Sequence, residues 1–167
     1  MVLDILMIIE KGIWFGFAAL GFAILFNVPQ RALKVIWLIA AAGGITKLSL
    51  MQFNIGIVIA TFAGASIVGV LSVYAAHNKH APPLVFSIPS VIPMIPGAFA
   101  YRMMLGLMQL SGTAISNETY LKTLAETTNN GLKTMFILMA LAVGVAIPML
   151  ISRKETIKKI RHKSDTI

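Results

Sequence analysis

Long apolar runs separated by short polar interruptions follow one another along the chain. A membrane-spanning helix needs about 20 predominantly apolar residues. Four runs reach that length: Ile5–Phe26, Ala32–Met51, Ile55–Ala76 and Gly131–Ile151. The pattern therefore predicts an all-α integral membrane protein, with helices that end at polar turns such as Asn27-Val28-Pro29.

Two stretches are less apolar than the rest. Ala32–Met51 has Gly43-Gly44 in its middle, and Thr46, Lys47 and Ser49 follow. We interpret these three polar residues as a helix end that lies near a membrane surface. Ser111–Asn130 is polar, and its apolar residues recur at helical spacing, so it is predicted to form a short surface helix.

A fifth apolar run, Leu84–Leu110, is interrupted by prolines. Pro89, Pro93 and Pro96 fall within eight residues and Gly97 follows. Each proline removes a backbone donor and clashes with the preceding turn, so a smooth helix is excluded. This run is predicted to be the fourth of five transmembrane helices, broken at Pro93/Pro96-Gly97. A broken helix is tolerated in a membrane where it lines a protein-enclosed or water-filled cavity, so the break is the candidate site.

The distribution of positive charge indicates how often the broken run crosses the membrane. With one crossing, nine of the 14 Lys and Arg residues share a side, and a re-entrant hairpin would divide them. Cytoplasmic loops carry an excess of Lys and Arg, so one kinked crossing is predicted, with the N-terminus outside and the C-terminus inside. The nine are Arg31, Lys34, Lys79 and the six that follow Ser152.

Composition supports the membrane assignment and excludes several kinds of site. Hydrophobic residues make up 57% of the chain and charged residues 12%, and the mean hydropathy is +0.85. The absence of cysteine excludes disulfides, thiolate metal sites and cysteine nucleophiles. The net charge of +8 comes largely from the C-terminal end, which fits a membrane surface better than nucleic acid. We therefore predict one transmembrane domain over residues 1–152 and a basic cytoplasmic tail over 153–167 that contacts lipid head groups.

Small residues at helical spacing predict where helices pack closely in the membrane. The first run contains Gly12-x-x-x-Gly16, and the third places Gly56, Ala60 and Gly64 on one face. We interpret both as helix-packing seams.

The residues after the break favour binding of an anion. Proline suits the first position of a helix, so a restart at Pro96 would direct the N–H groups of Gly97 and Ala98 into the break. A helix N-terminus carries about half a positive charge, which in a discontinuous membrane helix favours a carboxylate. Tyr101 and Arg102 follow about one turn later and are predicted to take part.

Arg102 has an alternative interpretation, in which it extends to a membrane surface and the prolines only kink the helix. No Asp or Glu lies within a central span, so its partner would be a bound anion or a carboxylate of another subunit. Asn27 is added as a substrate-binding candidate because it precedes Pro29 at a helix end. No catalytic constellation, metal motif or cofactor motif is present, so we predict that the chain is not an enzyme and binds no cofactor.

Two motifs resemble a known family. They are F-N-V-P-x-R-A-L from Phe26 to Leu33 and V-I-P-M-x-P-G from Val91 to Gly97, with Tyr101 after the second. In a five-span chain of this size they resemble the small YjjB-like component of the threonine/serine exporter (ThrE) family.

The resemblance implies a multi-pass protein of the bacterial inner membrane that exports small hydrophilic metabolites, driven by an ion gradient. Family members export threonine and serine, and others are linked to dicarboxylates such as succinate. Full-length members fuse two membrane halves, and this chain resembles the second, which implies a larger YjjP-like membrane subunit as partner. A non-transporting scaffold or regulatory subunit is the alternative, and homo-oligomers and hetero-oligomers both remain open.

Overall fold

A computed structural model describes the backbone of residues 2–112 and 117–164 and the side chains of residues 6–112 and 119–152. Six α-helices and one 3₁₀ turn make up the described part of the chain, which contains no β-strand. The elements are α1 (Val2–Leu25), α2 (Gln30–Gln52), α3 (Ile57–Lys79), α4 (Pro83–Val91), the 3₁₀ turn (Ile92–Met94), α5 (Gly97–Leu110) and α6 (Asn117–Ser164).

The helices are long and apolar enough to confirm the predicted membrane fold. Among the described residues, four helical segments meet the length and hydropathy of a membrane span: Leu6–Leu25, Gln30–Gln52, Ile57–Lys79 and Thr119–Ser152. A bent pair, Pro83–Met94 and Gly97–Leu110, makes a fifth span if its two helices cross together. The chain is thus an all-α membrane protein, and its orientation stays a prediction.

Three helices are followed, within two residues of their last residue, by a residue in the left-handed backbone conformation. Asn27, Asn54 and His80 have φ values of 55°, 58° and 50°. At the end of α1 the N–H of Val28 donates to the carbonyl of Ala23, and the N–H of Asn27 donates to that of Ile24. This paired arrangement satisfies carbonyls that a helix end otherwise leaves open. It also turns the chain within four residues, which allows α1 and α2 to pack side by side.

The fourth predicted span is broken, as its prolines indicate, and the structure locates the break more closely. The α-helix ends at Val91, tightens into the 3₁₀ turn, and restarts at Gly97. Pro96 is the residue before α5 rather than its first residue, with φ −81° and ψ 58°. Pro89 lies inside α4, is fully buried, and does not end that helix.

The predicted short surface helix and the predicted last span are parts of one helix, α6, which runs on through the backbone of residues 153–164. The expectation of a separate surface helix in Ser111–Asn130 was wrong because nothing between Asn117 and Gly131 breaks a helix. A single glycine such as Gly131 costs only about 1 kcal/mol relative to alanine. The side chains of the predicted basic tail lie outside the described residues.

The chain divides into two compact units, Met1–Met94 with Ala140–Ile167, and Ile95–Met139. In the first unit, α4 packs against α1, α2 and α3. The core of this unit contains fully buried small and branched side chains and one aromatic ring: Ile36 and Ala40 of α2, Ala60, Ala65 and Val68 of α3, and Phe86 of α4. The boundary between the units falls directly after the 3₁₀ turn, so the two sides of the break belong to different units.

Candidate functional site

A buried lysine reaches the first side of the break. Lys47 lies on α2, five residues before the helix ends at Gln52, which places it about 7.5 Å inside that end at helical rise. Its side chain is 8% exposed, and its ammonium Nζ donates a hydrogen bond of 3.0 Å to the carbonyl oxygen of Met94. The interpretation of Lys47 as part of a polar helix end missed this contact.

The Met94 carbonyl is available because the helix breaks immediately after it. In a continuous helix its donor would be the N–H of Ala98, which bonds no described backbone carbonyl. The nearer N–H of Gly97 donates instead to Ile95, at 2.9 Å. Carbonyls at a helix end carry partial negative charge and attract cations. Lys47 therefore takes the place of the donor that the break removes.

Glycines clear the path of the lysine side chain. A Cβ placed on Gly64 would lie 2.7 Å from the carbonyl oxygen of Gly43, 2.7 Å from Cε of Met94 and 3.2 Å from Cβ of Lys47. Side chains at Gly43 or Gly64 would therefore occupy the space between α2, α3 and the 3₁₀ turn. The spacing of Gly43 and Lys47, four residues apart on one helix face, is the sequence signal that points to a cation with room around it.

Buried hydroxyl groups accompany this contact in the first unit. Ser90 Oγ lies 2.7 Å from the carbonyl of Phe86 and 3.3 Å from that of Ile36, so α4 and α2 share one hydroxyl donor. The hydroxyls of Thr61, Ser72 and Ser87 are buried and have no hydrogen-bond partner among the described residues. Unpaired buried hydroxyls are costly, which makes them candidates for contact with a polar ligand.

The second side of the break is a tight turn that opens α5. The N–H of Gly97 bonds Ile95 across Pro96, and the dihedral angles of Pro96 are those of an inverse γ-turn. The carbonyl of Pro96 accepts from Phe99 and Ala100. Two free N–H groups were expected at this helix start, but Gly97 uses its own, and only that of Ala98 remains without a described acceptor.

Two cationic side chains lie near the start of α5 in the second unit: Arg102 on α5 itself and Lys133 on α6. Arg102 is exposed within the second unit, and Tyr101 is 65% exposed. Lys133 Nζ of α6 lies 5.6 Å from the centre of the Phe99 ring, a cation–π contact. No ion pair joins Arg102 or Lys133 to an acidic group among the described side chains. The structure thus brings Gly97, Ala98, Tyr101 and Arg102 together on one short helix and adds Lys133 to them.

Gly106, two turns beyond Ala98, has a packing role. It is buried, and a Cβ there would collide with Oγ1 of Thr127 on α6. This close contact fixes which side of α5 faces α6 in the second unit.

Residues 11–151 match the family model described as "Threonine/Serine exporter, ThrE". The chain belongs to the threonine/serine exporter family. A protein of uncharacterised function from Haemophilus influenzae is 38% identical to this exporter-family chain over 133 residues. The match covers 80% of the chain but 43% of that relative, so the chain spans less than half of the relative's length. No solved structure matches this chain.

The two motifs that resemble the exporter family fall on backbone features. V-I-P-M-x-P-G is the 3₁₀ turn and the start of α5. F-N-V-P is the end of α1, where Asn27 is exposed and holds the left-handed turn. Asn27 lies in the first unit and the start of α5 in the second, and a substrate-binding role for Asn27 stays a prediction.

The predicted packing glycines of the exporter-family chain lie in different surroundings. In α1, Gly12 faces Ile45 of α2, and a Cβ on Gly16 would lie 2.6 Å from Nε1 of Trp37. Gly64 lies against Gly43, as described above, and Ala60 is fully buried on the same helix. Gly56 precedes α3 and has open space around it. Among these predicted packing positions, the close approaches are those of α2 to α1 and to α3.

Proposed function

We propose that the chain is a membrane subunit of a two-component secondary exporter for small hydrophilic metabolites that carry a carboxylate. The expected solutes are threonine- and serine-like amino acids and dicarboxylates such as succinate. The observation that carries this proposal is the start of α5, where the N–H of Ala98 has no described acceptor. Arg102 on the same helix and Lys133, which lies over the Phe99 ring, have no acidic partner among the described side chains. Membership of the exporter family supports transport rather than catalysis.

The chemistry of α5 suits a carboxylate. The N–H of Ala98 points out of the helix start, where the helix dipole favours negative charge. A guanidinium binds a carboxylate through two parallel hydrogen bonds, and Arg102 lies four residues after Ala98, on the same face. The hydroxyl of Tyr101 adds a neutral donor. Pro93 and Pro96 would keep the segment broken, so that these groups face a cavity rather than lipid.

A second subunit is part of the proposal. The resemblance implies a larger YjjP-like membrane partner, and this chain matches less than half of its Haemophilus relative. Alternating access would come from the two membrane halves moving about the bound solute, driven by an ion gradient, as in other transporters with broken helices. The proposed location is the bacterial inner membrane.

Efflux measurements test the function. Cells that carry both components, either one, or neither are loaded with threonine, serine and succinate, and release is followed in parallel. We expect release of at least one solute only when both components are present. Full-rate efflux from cells that lack this chain would contradict the proposal and assign the chain a scaffold or regulatory role.

Arg102→Gln tests the site within the same assay. We expect it to lower efflux at least tenfold while the protein still reaches the membrane, because the change removes one charge-assisted interaction, worth roughly 1.5–3 kcal/mol. Lys122→Gln, at an exposed position of α6 in the same unit, is the matched control and should leave efflux unchanged. Normal efflux in the Arg102 variant would remove Arg102 from the site.

A further inference from the structure

We propose that Lys47 recognises a solute carboxylate within the first compact unit, by exchanging the Met94 carbonyl for that carboxylate. The inference rests on the proposed function and adds to it a residue in the first compact unit. It predicts that the 3₁₀ turn loses its hydrogen bond to Lys47 when the solute binds.

The ammonium of Lys47 is short of partners where it lies. An ammonium has three donors, and a single hydrogen bond, to Met94, is described for Lys47. A charge buried in a membrane protein is costly unless it is paired, and such residues mark ligand or ion pathways. Helices α2, α3 and α4 contain no Asp or Glu at all. The packing around Lys47 therefore offers carbonyls and hydroxyls but no carboxylate.

Among the described side chains of the first unit, Glu10 of α1 is the only acidic one. Gly12 faces Ile45, so the antiparallel register of α1 and α2 places Glu10 near the level of Lys47. Its side chain is exposed, while that of Lys47 is buried, and no ion pair joins them among the described residues. The described side chains of the first unit thus supply no carboxylate to the Lys47 ammonium.

A carboxylate would displace the carbonyl that Lys47 now holds. A carboxylate carries a full negative charge and a carbonyl oxygen only a partial one, so the Coulomb attraction to the ammonium is larger for the carboxylate. The carbonyl occupies one of the three ammonium donors when no solute is bound, and it is a weaker acceptor than the solute's carboxylate. A permanent acidic partner would compete with the solute continuously, so a neutral, displaceable acceptor suits reversible binding.

Met94 of the 3₁₀ turn fills the space beside Lys47 in this structure. A carboxylate can therefore bind there only if the turn moves. Cε of Met94 lies 2.7 Å from the Cβ position of Gly64, so Met94 fills the place beside the lysine. Thr61 lies one turn from Gly64 on α3, fully buried, with an unpaired hydroxyl. When a carboxylate takes the ammonium, Met94 must leave, and the Thr61 hydroxyl is the additional donor that we assign to the solute.

Thermal unfolding of the purified two-component complex tests the inference. Tm is measured with and without L-threonine and succinate, and L-threoninamide, which lacks the carboxylate, is the control compound. Lys47→Gln keeps a neutral donor, Lys47→Met removes every donor, and Lys47→Arg keeps the charge. We expect both carboxylates to raise Tm in the wild type and in Lys47→Arg. In the two neutral variants the apparent affinity should fall ten- to hundred-fold, which corresponds to the loss of one charged hydrogen bond.

Control variants separate a structural role from recognition. Lys34→Met, at an exposed position on the same helix, and Glu10→Gln should keep the wild-type response. A response within twofold of wild type in Lys47→Gln would overturn the inference, because Lys47 would then serve only as a donor to Met94. If neither neutral variant accumulates in the membrane, Lys47→Arg and Thr61→Val are measured instead. The inference requires that carboxylates still raise the Tm of Lys47→Arg and raise the Tm of Thr61→Val less than that of the wild type. The reverse pattern overturns it.

The same measurements distinguish the inference from the proposed function. If the wild type shows neither a carboxylate-dependent Tm nor efflux, the proposed function fails. If the wild type shows both and the Lys47 variants show both as well, the function stands and the assignment of Lys47 fails.

Discussion

Asn27 has a left-handed backbone conformation that most residues avoid. Its two possible roles, forming the turn after α1 and binding a solute, use different parts of the residue. Left-handed φ values cost a residue with a Cβ about 1–2 kcal/mol, and glycine and asparagine avoid much of that cost. The turn at the end of α1 therefore requires the backbone of Asn27, while a bound solute would require its side chain.

Substitution at Asn27 tells the two roles apart. Asn27→Gly should keep the free energy of unfolding within about 0.5 kcal/mol, while Asn27→Ala should lower it by roughly 1 kcal/mol. If Asn27 binds solute, as its sequence position predicts, efflux falls in both variants. Unchanged efflux in Asn27→Gly would leave Asn27 with the turn alone.

Gly64 lies where α2, α3 and Met94 pack closely beside Lys47. Gly64→Ala would force the new Cβ against the Gly43 carbonyl and Cε of Met94. Overpacking of this kind typically costs about 1–3 kcal/mol, and we expect a corresponding fall in Tm of the detergent-purified protein. Gly56→Ala is the matched control, since Gly56 has open space around it and φ −55°. Equal Tm values for the two variants would contradict the described packing of α2 on α3.

At the scale of elements, the prolines decide the shape of the fourth segment. Replacing Pro93 and Pro96 together with alanine returns two N–H donors and removes two steric clashes. We expect a longer continuous helix and at least tenfold lower efflux with normal membrane insertion, followed by far-UV circular dichroism and efflux assay. Pro82→Ala changes a residue that precedes α4 and should leave efflux intact. Undiminished efflux in the double variant would show that the break is not needed.

The sequence predicted the elements well where their causes are local. Proline acts on its own turn, so Pro89, Pro93 and Pro96 were enough to locate the break to within a few residues. The extent of α6 was missed because a polar stretch from Asn117 onward was taken for a separate helix, although no residue there stops one. The use of the Gly97 N–H by Ile95 depends on the ψ angle of Pro96, which residue types do not reveal.

Lys47 could not be placed from residue types alone for a different reason. Its burial depends on Gly64 and Met94, which follow it by 17 and 47 residues, and on the packing of α2 with α3 and α4. From its own surroundings Lys47 resembled an ordinary charged residue near a helix end. The local sign was Gly43 on the same helix face, and its meaning emerges only once the neighbouring helices are in place.

At the scale of the whole molecule, the orientation in the membrane is open to direct measurement. The chain has no cysteine, so single introduced cysteines label without background. Gln30→Cys and Lys79→Cys should react with a membrane-impermeant maleimide only from the cytoplasmic side, and Phe53→Cys only from the outside. This pattern follows from the excess of positive charge on one side. Labelling of Gln30→Cys from outside intact cells would reverse the predicted topology.

The contact between Lys47 and Met94 also has a consequence for how the family varies. The acceptor is a main-chain carbonyl, which every amino acid carries, so position 94 is free to change without losing the bond. A search for covarying pairs among relatives would therefore pass over this contact. Selection would act instead on the small size of residues 43 and 64 and on the charge at 47, so substitutions there should be the ones that evolution tolerates least.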